Sequence, residues 1–162
     1  MRNETWSHFT VEMAVPATAD VVWSRLWDLG RHSHAVPFTT VISQSESLDW
    51  GARFIARTDL GFGAIDDRMV VRRWEPPNRA RVEKIGPLLF GTIEATIMEE
   101  AAGCRLIWEQ TYAVRGLPRF LAYAFGPVAK WSYQAVLERI IERRSMEDAF
   151  EHYKIVTGQN RD

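Results

Sequence analysis

The chain holds a single cysteine, Cys104, in 162 residues, so no disulfide can close within it and folding must rest on a buried core. A lone thiol fits the reducing cytoplasm, which is the expected location. Long hydrophobic runs are also missing. No stretch approaches the ~20 apolar residues of a membrane helix, and the polar, acid-containing start MRNETWSHFT does not read as a secretory signal. Charge of one sign is absent as well: 20 basic residues meet 21 acidic ones, a net −1 that gives no electrostatic case for nucleic acid. No serine sits in a glycine-flanked elbow, and Gly61-Phe62-Gly63 is followed by no helix, so it is a tight turn and not a phosphate loop. His32-Ser33-His34 would point its two rings apart on a helix, and no cysteine or carboxylate cluster accompanies it. The pair is expected to be solvated, and neither a metal nor a cofactor is expected. Cys104, opening a strand beside a turn, is expected to be structural.

What is present is a core-forming composition, 46% hydrophobic and 25% charged, with seven tryptophans, more than a small core normally uses. There is no repeat, linker or low-complexity stretch, so residues 1–162 are expected to form one domain. His8 to Val15 alternates apolar and polar residues as a half-buried strand does. Pro16 ends it. Thr18 is placed to cap a helix with Asp20 in its first turn, and Val22, Trp23, Leu26 and Trp27 make that helix's apolar face. Gly30 is expected to stop it, before a short second helix or turn at RHSHAVP. Strand patterns follow at about 38–44, 52–59, 64–74, 79–85, 91–99 and 104–114, separated by turn chemistry such as EPPN and AAG. From Leu117 the period becomes helical. Gly126-Pro127 predicts a break, then a long helix to about Tyr153 whose apolar residues cover more than one stripe. The charged run from Glu138 to Lys154 reads as that helix's solvated side.

In this order the chain resembles the START-like superfamily of polyketide cyclases, lipid-transfer domains and ligand carriers. VPATADVVWSRLWDL, the strand GCRLIWEQTY and the closing helix carry the resemblance, which spans nearly the whole chain. It implies an α+β helix-grip fold: a curved seven-stranded antiparallel sheet around a long C-terminal helix, with two short helices after the first strand. It leaves function open between carrying a ligand, cyclising a polyketide and binding a protein partner.

Strand registers decide which side chains share a face. A turn at Gly61-Phe62 opposes Phe54 to Met69, Thr58 to Ile65 and Arg57 to Asp66. One at EPPN opposes Val71 to Val82, but also sets Arg72 against Arg81. The loop GPLLFG opposes Val82 to Ala95 and Lys84 to Ile93. A turn at Ala102-Gly103 opposes Ile97 to Trp108, Ala95 to Gln110, Ile93 to Tyr112 and Glu100 to Arg105. All four put one apolar set inside: Phe54, Ala56, Ile65, Met69, Val71, Val82, Ile93, Ala95, Ile97, Trp108 and Tyr112. Thr58, Asp67, Lys84 and Gln110 share that face. Charges inside a solid core are costly, so the diagonal neighbours Asp67 and Lys84 point to an internal ligand site. Phe54, Met69, Ile93 and Trp108 would supply its apolar contact, with Thr58, Asp67, Lys84, Gln110 and Tyr112 at its polar end. Trp23 and Trp27 are expected to hold the first helix. Trp6, Trp50, Trp74 and Trp131 carry no positional signal.

Binding of a small hydrophobic or amphipathic ligand, lipid-like or polyketide-like, is the expected function. The alternatives are a metal-free and nucleotide-free cyclase or dehydratase, with Asp67, Lys84 and Tyr112 as its acid–base candidates, and an interaction module acting through the long helix. Alternating hairpins gather Phe62, Leu88, Leu89, Phe90, Leu117, Phe120 and Leu121 at one end of the sheet. These apolar tips are expected to gate a cavity mouth and to touch a membrane or an acyl carrier transiently. A monomer or a homodimer fits equally.

Overall fold

Phe9, Val11 and Val15 bury one face of the first strand while Glu12 and Ala14 stay exposed, as a period of two requires. The computed structural model describes residues 5–45, 47–116 and 119–142, with the backbone alone for 119–126 and 142. Its elements are β1 (Trp6–Val15), α1 (Ala19–Leu26), α2 (Leu29–Ala35), β2 (Thr39–Ser43), β3 (Arg53–Asp59), β4 (Ala64–Glu75), β5 (Arg79–Ile85), β6 (Leu89–Glu100), β7 (Gly103–Val114) and α3 (Arg119–Glu142). The strands form one curved, open antiparallel sheet in the order β1-β7-β6-β5-β4-β3-β2. The helix α3 lies against its inner face, where Leu137 and Ile141 join the core cluster with Val11, Ile97, Leu106 and Trp108. This is the helix-grip architecture.

The β3–β4 register is as expected, and Arg57 makes a two-pronged contact with Asp66 at 2.7 and 2.8 Å. At β4–β5 Val71 does oppose Val82, but a β-bulge follows. It moves Arg72 out of the pairing and to Glu83 at 2.6 Å, but Arg73 takes the place opposite Arg81, so two arginines still face each other there. The other two registers differ from expectation by two residues. Ala101-Ala102 makes the last hairpin turn, so Trp108 faces Ala95 and Ile97 faces Leu106. Val82 likewise faces Ile93, and Lys84 faces Gly91. A slip of two residues keeps every side chain on its own face, so the inner set survives. Glu100 still reaches Arg105, diagonally, at 2.6 Å.

Four local expectations need correction. Thr18 is the N-cap of α1 with extended backbone, but its hydroxyl makes no cap bond; Glu99 of β6 instead accepts from the Ala19 amide at 3.0 Å. Gly30 does not end α1. The helix stops at Leu26, and Gly30 lies inside α2, where its amide donates to the capping carboxylate of Asp28. Gly126-Pro127 does not break the last helix, which runs on through Pro127. A proline withdraws one backbone hydrogen bond, and the downstream packing of Leu137, Ile140 and Ile141 against the fold outweighs that loss. The second apolar stripe faces outward, with Trp131 74% exposed. The continuation to Tyr153 lies outside the described residues.

His32 is the fourth correction. It is no solvated partner of His34: its Nε2 lies 2.6 Å from the Leu26 carbonyl and satisfies the end of α1. His34 separately contacts the Gly30 carbonyl. Around this corner Arg25 and Arg31 donate to the Ile141 and Ile140 carbonyls, at 2.8 and 3.0 Å, and hold the end of α3.

Burial lowers the pKa of His32, against smaller opposing effects of the Leu26 carbonyl and the Asp28 charge. A histidine with a lowered folded pKa binds fewer protons than in the unfolded chain. Its contribution is therefore complete above the ordinary value near 6.5 and is lost as pH falls from there towards the folded value. Urea unfolding between pH 7 and 5 should show wild-type stability falling relative to His32→Gln, by at most about 1.4 kcal/mol per pH unit. Parallel curves for the two proteins would contradict this.

Candidate functional site

The inner face carries one buried ion pair among the described residues. Lys84 on β5 is 5% exposed, and its ammonium donates to Asp67 Oδ2 on β4. The register puts Met69 directly opposite Lys84 and leaves Asp67 diagonal to it, as alternation predicts. The Met69 sulfur lies 4.0 Å from the same Nζ. On the other side Lys84 faces Gly91 of β6, which in turn faces Tyr112 of β7. Gly91 has φ of 146°, and a Cβ there would stand 2.0 Å from the Thr111 carbonyl oxygen, so the strands approach in a way that only glycine allows.

Burial pushes the Asp67 carboxyl up, and Lys84 offsets this only in part. Its second oxygen, Oδ1, is buried with no hydrogen-bond partner. The Tyr133 phenol of α3 is also pushed up, by burial first and then by the negative charge of Asp67. Tyr133 stacks on Trp108 with ring centroids 5.5 Å apart and packs on Phe9 at 5.6 Å. Trp108 is 1% exposed, and its indole N–H donates to Gln110 Oε1 at 3.4 Å. Beyond Trp108 the aromatic contacts continue to Trp27 at 6.2 Å, and from there to Trp74 at 5.3 Å and Trp23. The Trp27 Nε1 is buried and unpartnered as well.

Of the residues named from sequence, Phe54, Met69, Ile93, Trp108, Gln110 and Lys84 are buried on the inner face, and Tyr112 is half-buried with an edge contact to Phe9. Thr58 is occupied elsewhere, its hydroxyl 2.8 Å from that of Thr39. Ile65 opposes Thr58 as expected and is exposed because it stands at the open end of β4. Tyr133 and Phe9 were missed. Phe9 was visible in the alternation of β1, and Tyr133 in its spacing to Leu137, Ile140 and Ile141, but helix faces do not reveal their partners.

Of the apolar tips, Phe62, Leu88, Leu89 and Phe90 lie at one end of the sheet. Phe62 is 91% exposed and Leu88 is exposed beside it in sheet order, while Leu89 and Phe90 are half-buried. Phe90 meets the Trp6 ring edge-on at 5.3 Å and lies under the Arg115 guanidinium. Trp6 therefore belongs to this end, as does exposed Phe38, whose carbonyl accepts from Asp59. Leu117 and the side chains of Phe120 and Leu121 lie outside the described residues. Among the described residues no group of three metal-binding side chains occurs, and no helix is long and apolar enough to cross a membrane.

Removing one member of the buried pair should hurt more than removing both. Lys84→Met alone strands the Asp67 charge and is expected to cost about 3–5 kcal/mol in urea unfolding, whereas Asp67→Val/Lys84→Met should cost much less. A double variant as damaged as the sum of its singles would refute the coupling.

Solved structures share this fold. The chain aligns with the di-domain ARO/CYC StfQ of the steffimycin biosynthetic pathway at TM-score 0.67 and 15% identity, over 86% of this chain and 52% of that one. It thus spans about half the length of that protein. The Zhui aromatase/cyclase from Streptomyces sp. R1128 aligns at 0.69 and 17% identity, over 87% of this chain and 96% of that one. A protein of unknown function, SA2116 from Staphylococcus aureus, aligns at 0.71 and 9% identity, covering 89% and 98%. At such identities the likeness is one of fold. No curated protein matches the chain. At the level of sequence, the family described as Polyketide cyclase / dehydrase and lipid transport matches residues 15–141, from the end of β1 to the last turn of α3. The chain belongs to the polyketide cyclase/dehydrase and lipid transport family.

Proposed function

We propose that this chain binds a small apolar or amphipathic molecule between the inner face of the sheet and α3. One observation carries the reading: a buried lysine–carboxylate pair stands among aromatic side chains where a solid core would do better with apolar ones. Two charges leaving water are rarely repaid by their attraction alone, and similar-sized apolar residues are commonly as stable or more so. Phe54, Met69, Ile93 and Trp108 supply apolar contact in this reading, and Asp67, Lys84, Gln110 and Tyr112 face the ligand's polar part. Access is from the end bearing Phe62, Leu88, Leu89 and Phe90, since exposed apolar tips at a shared place favour apolar traffic.

A second reading, ring closure of a polyketide-like substrate, is favoured by the Asp67–Tyr133 neighbourhood. A carboxyl and a phenol raised by the same burial are groups that can hold or pass a proton. Turnover of a poly-β-ketone, lost in Tyr133→Phe with binding retained, would establish it.

Binding itself is tested with the neutral fluorescent probe N-phenyl-1-naphthylamine. Saturable uptake near one probe per chain is expected. Ile93→Trp, which fills the inner face, should abolish it while the far-ultraviolet circular dichroism spectrum is kept. The exposed pair Phe62→Ser/Leu88→Ser should slow uptake and leave urea stability within about 0.5 kcal/mol of wild type. No saturable uptake, or uptake indifferent to Ile93→Trp, would overturn the proposal.

A further inference from the structure

The open sheet has two edge strands, and they are treated differently. β2 is five residues long, and α2 lies along it: the Ser33 hydroxyl accepts from the Val41 amide at 2.8 Å. β1, at the other end of the order, is ten residues long and pairs with β7 alone. α3 covers its inner face through Tyr133 and Phe9. Among the described residues, no side chain and no second strand bonds to its backbone from Trp6 to Ala14. Native sheets blunt such an edge with a bulge, a lysine or a proline, or keep it short. β1 matches β7 residue for residue without a bulge, and it contains neither lysine nor proline. An edge left in that state is a template for another strand.

We infer that β1 docks on β1 of a second copy of this chain, the two strands running antiparallel about a two-fold axis through Thr10 and joining two seven-stranded sheets into one. The strand's own residues select both the partner and the register. Alternation admits only registers that set buried residues opposite buried ones. Centred on Thr10, Trp6 faces Ala14, Phe9 faces Val11, and Glu12 faces His8 of the second copy. Glu12 has only a distant partner within its own chain: Arg105 is 3.8 Å away and is bound to Glu100 at 2.6 Å. His8 meets only threonine hydroxyls, of Thr111 at 3.0 Å and Thr10 at 3.3 Å. Each therefore gains from the other, and the two-fold axis makes the contact twice. A register centred on Val11 sets Glu12 against Thr10 and His8 against Ala14, and forfeits it. Pairing from Trp6 to Ala14 supplies about eight to ten main-chain hydrogen bonds. It also points the Phe62 ends of the two copies in opposite directions, so the inference does not depend on what the interior binds.

Sedimentation velocity of the full chain between about 1 and 100 µM tests the pairing. A reversible dimer with a micromolar Kd is expected, as for a small interface. Thr10→Lys sets two ammonium groups face to face on the axis and should weaken the dimer at least about 10-fold, with circular dichroism and the urea midpoint unchanged. Cysteines read the register. Directly opposed residues have Cα atoms about 4.5–5.5 Å apart, within reach of a disulfide. The two His8 positions lie about 13 Å apart along the strands, out of reach. Under mild oxidation Thr10→Cys should form a covalent dimer and His8→Cys should not, the native Cys104 being buried. A dimer indifferent to Thr10→Lys, or equal cross-linking by both cysteine variants, would overturn the inference. So would a chain that stays monomeric throughout and is not cross-linked by Thr10→Cys, the edge then belonging to a strand of a different protein. Should Thr10→Lys not fold, the two cysteine variants still decide.

Discussion

The constraint on which the interior turns is the cost of dehydrating Lys84 and Asp67. Each charge is held by the other, and the removal of either leaves an ion with no water and no partner. The surrounding strands are arranged for that contact. Met69 opposes Lys84 on one side and Gly91 on the other, so the long lysine arm crosses beside a position without a side chain. The same pair explains why Tyr133, a helix residue remote in sequence, feels the charge of a strand carboxylate. An all-apolar interior would need none of these accommodations. Their presence ties the stability of the sheet to the chemistry of its inner face.

Around the pair the aromatic residues form a continuous seam. It runs from Trp23 and Trp74 through Trp27 and Trp108 to Tyr133, Phe9 and Tyr112. The tryptophan surplus in the composition finds its explanation here: four of the seven, Trp23, Trp27, Trp74 and Trp108, belong to this seam. Rings in edge and offset contact bury large areas with few rotatable bonds, which makes a rigid lining. Flat, stiff surfaces discriminate by shape, and only a few polar atoms are then needed to orient what lies on them.

Much of this was legible in the sequence, for a physical reason that also limits it. Alternation fixes the face of a residue but not its neighbour across the strand, so shifting the Ala102-Gly103 turn to Ala101-Ala102 moved Trp108 from Ile97 to Ala95 without turning it outward. The expected pairing of Arg72 with Arg81 failed at a bulge, which alternation cannot foresee and which sets Arg73 opposite Arg81 instead. What sequence could not show were contacts made by long reach between elements. Glu99 caps α1 in place of Thr18, His32 closes α1 from within α2, and the Tyr133 phenol on α3 lies within the electrostatic influence of Asp67. Each depends on tertiary placement, to which local pattern is blind. Pro127 shows the converse, a strong local signal overruled by packing on either side of it.

The two ends of the sheet also divide their work. At one end every helix terminus is tied: Glu99 holds the start of α1, Asp28 the start of α2, and Arg25 and Arg31 the last carbonyls of α3. Charge-assisted contacts of this kind are directional and lock the helices to the strands. The other end has Phe38, Phe62 and Leu88 exposed, beside the Arg57–Asp66 pair at 2.7 and 2.8 Å. The pair of charges lies towards the end with the exposed apolar tips and the tryptophans towards the tied one, so the polar and the aromatic parts of the interior are separated along the strands.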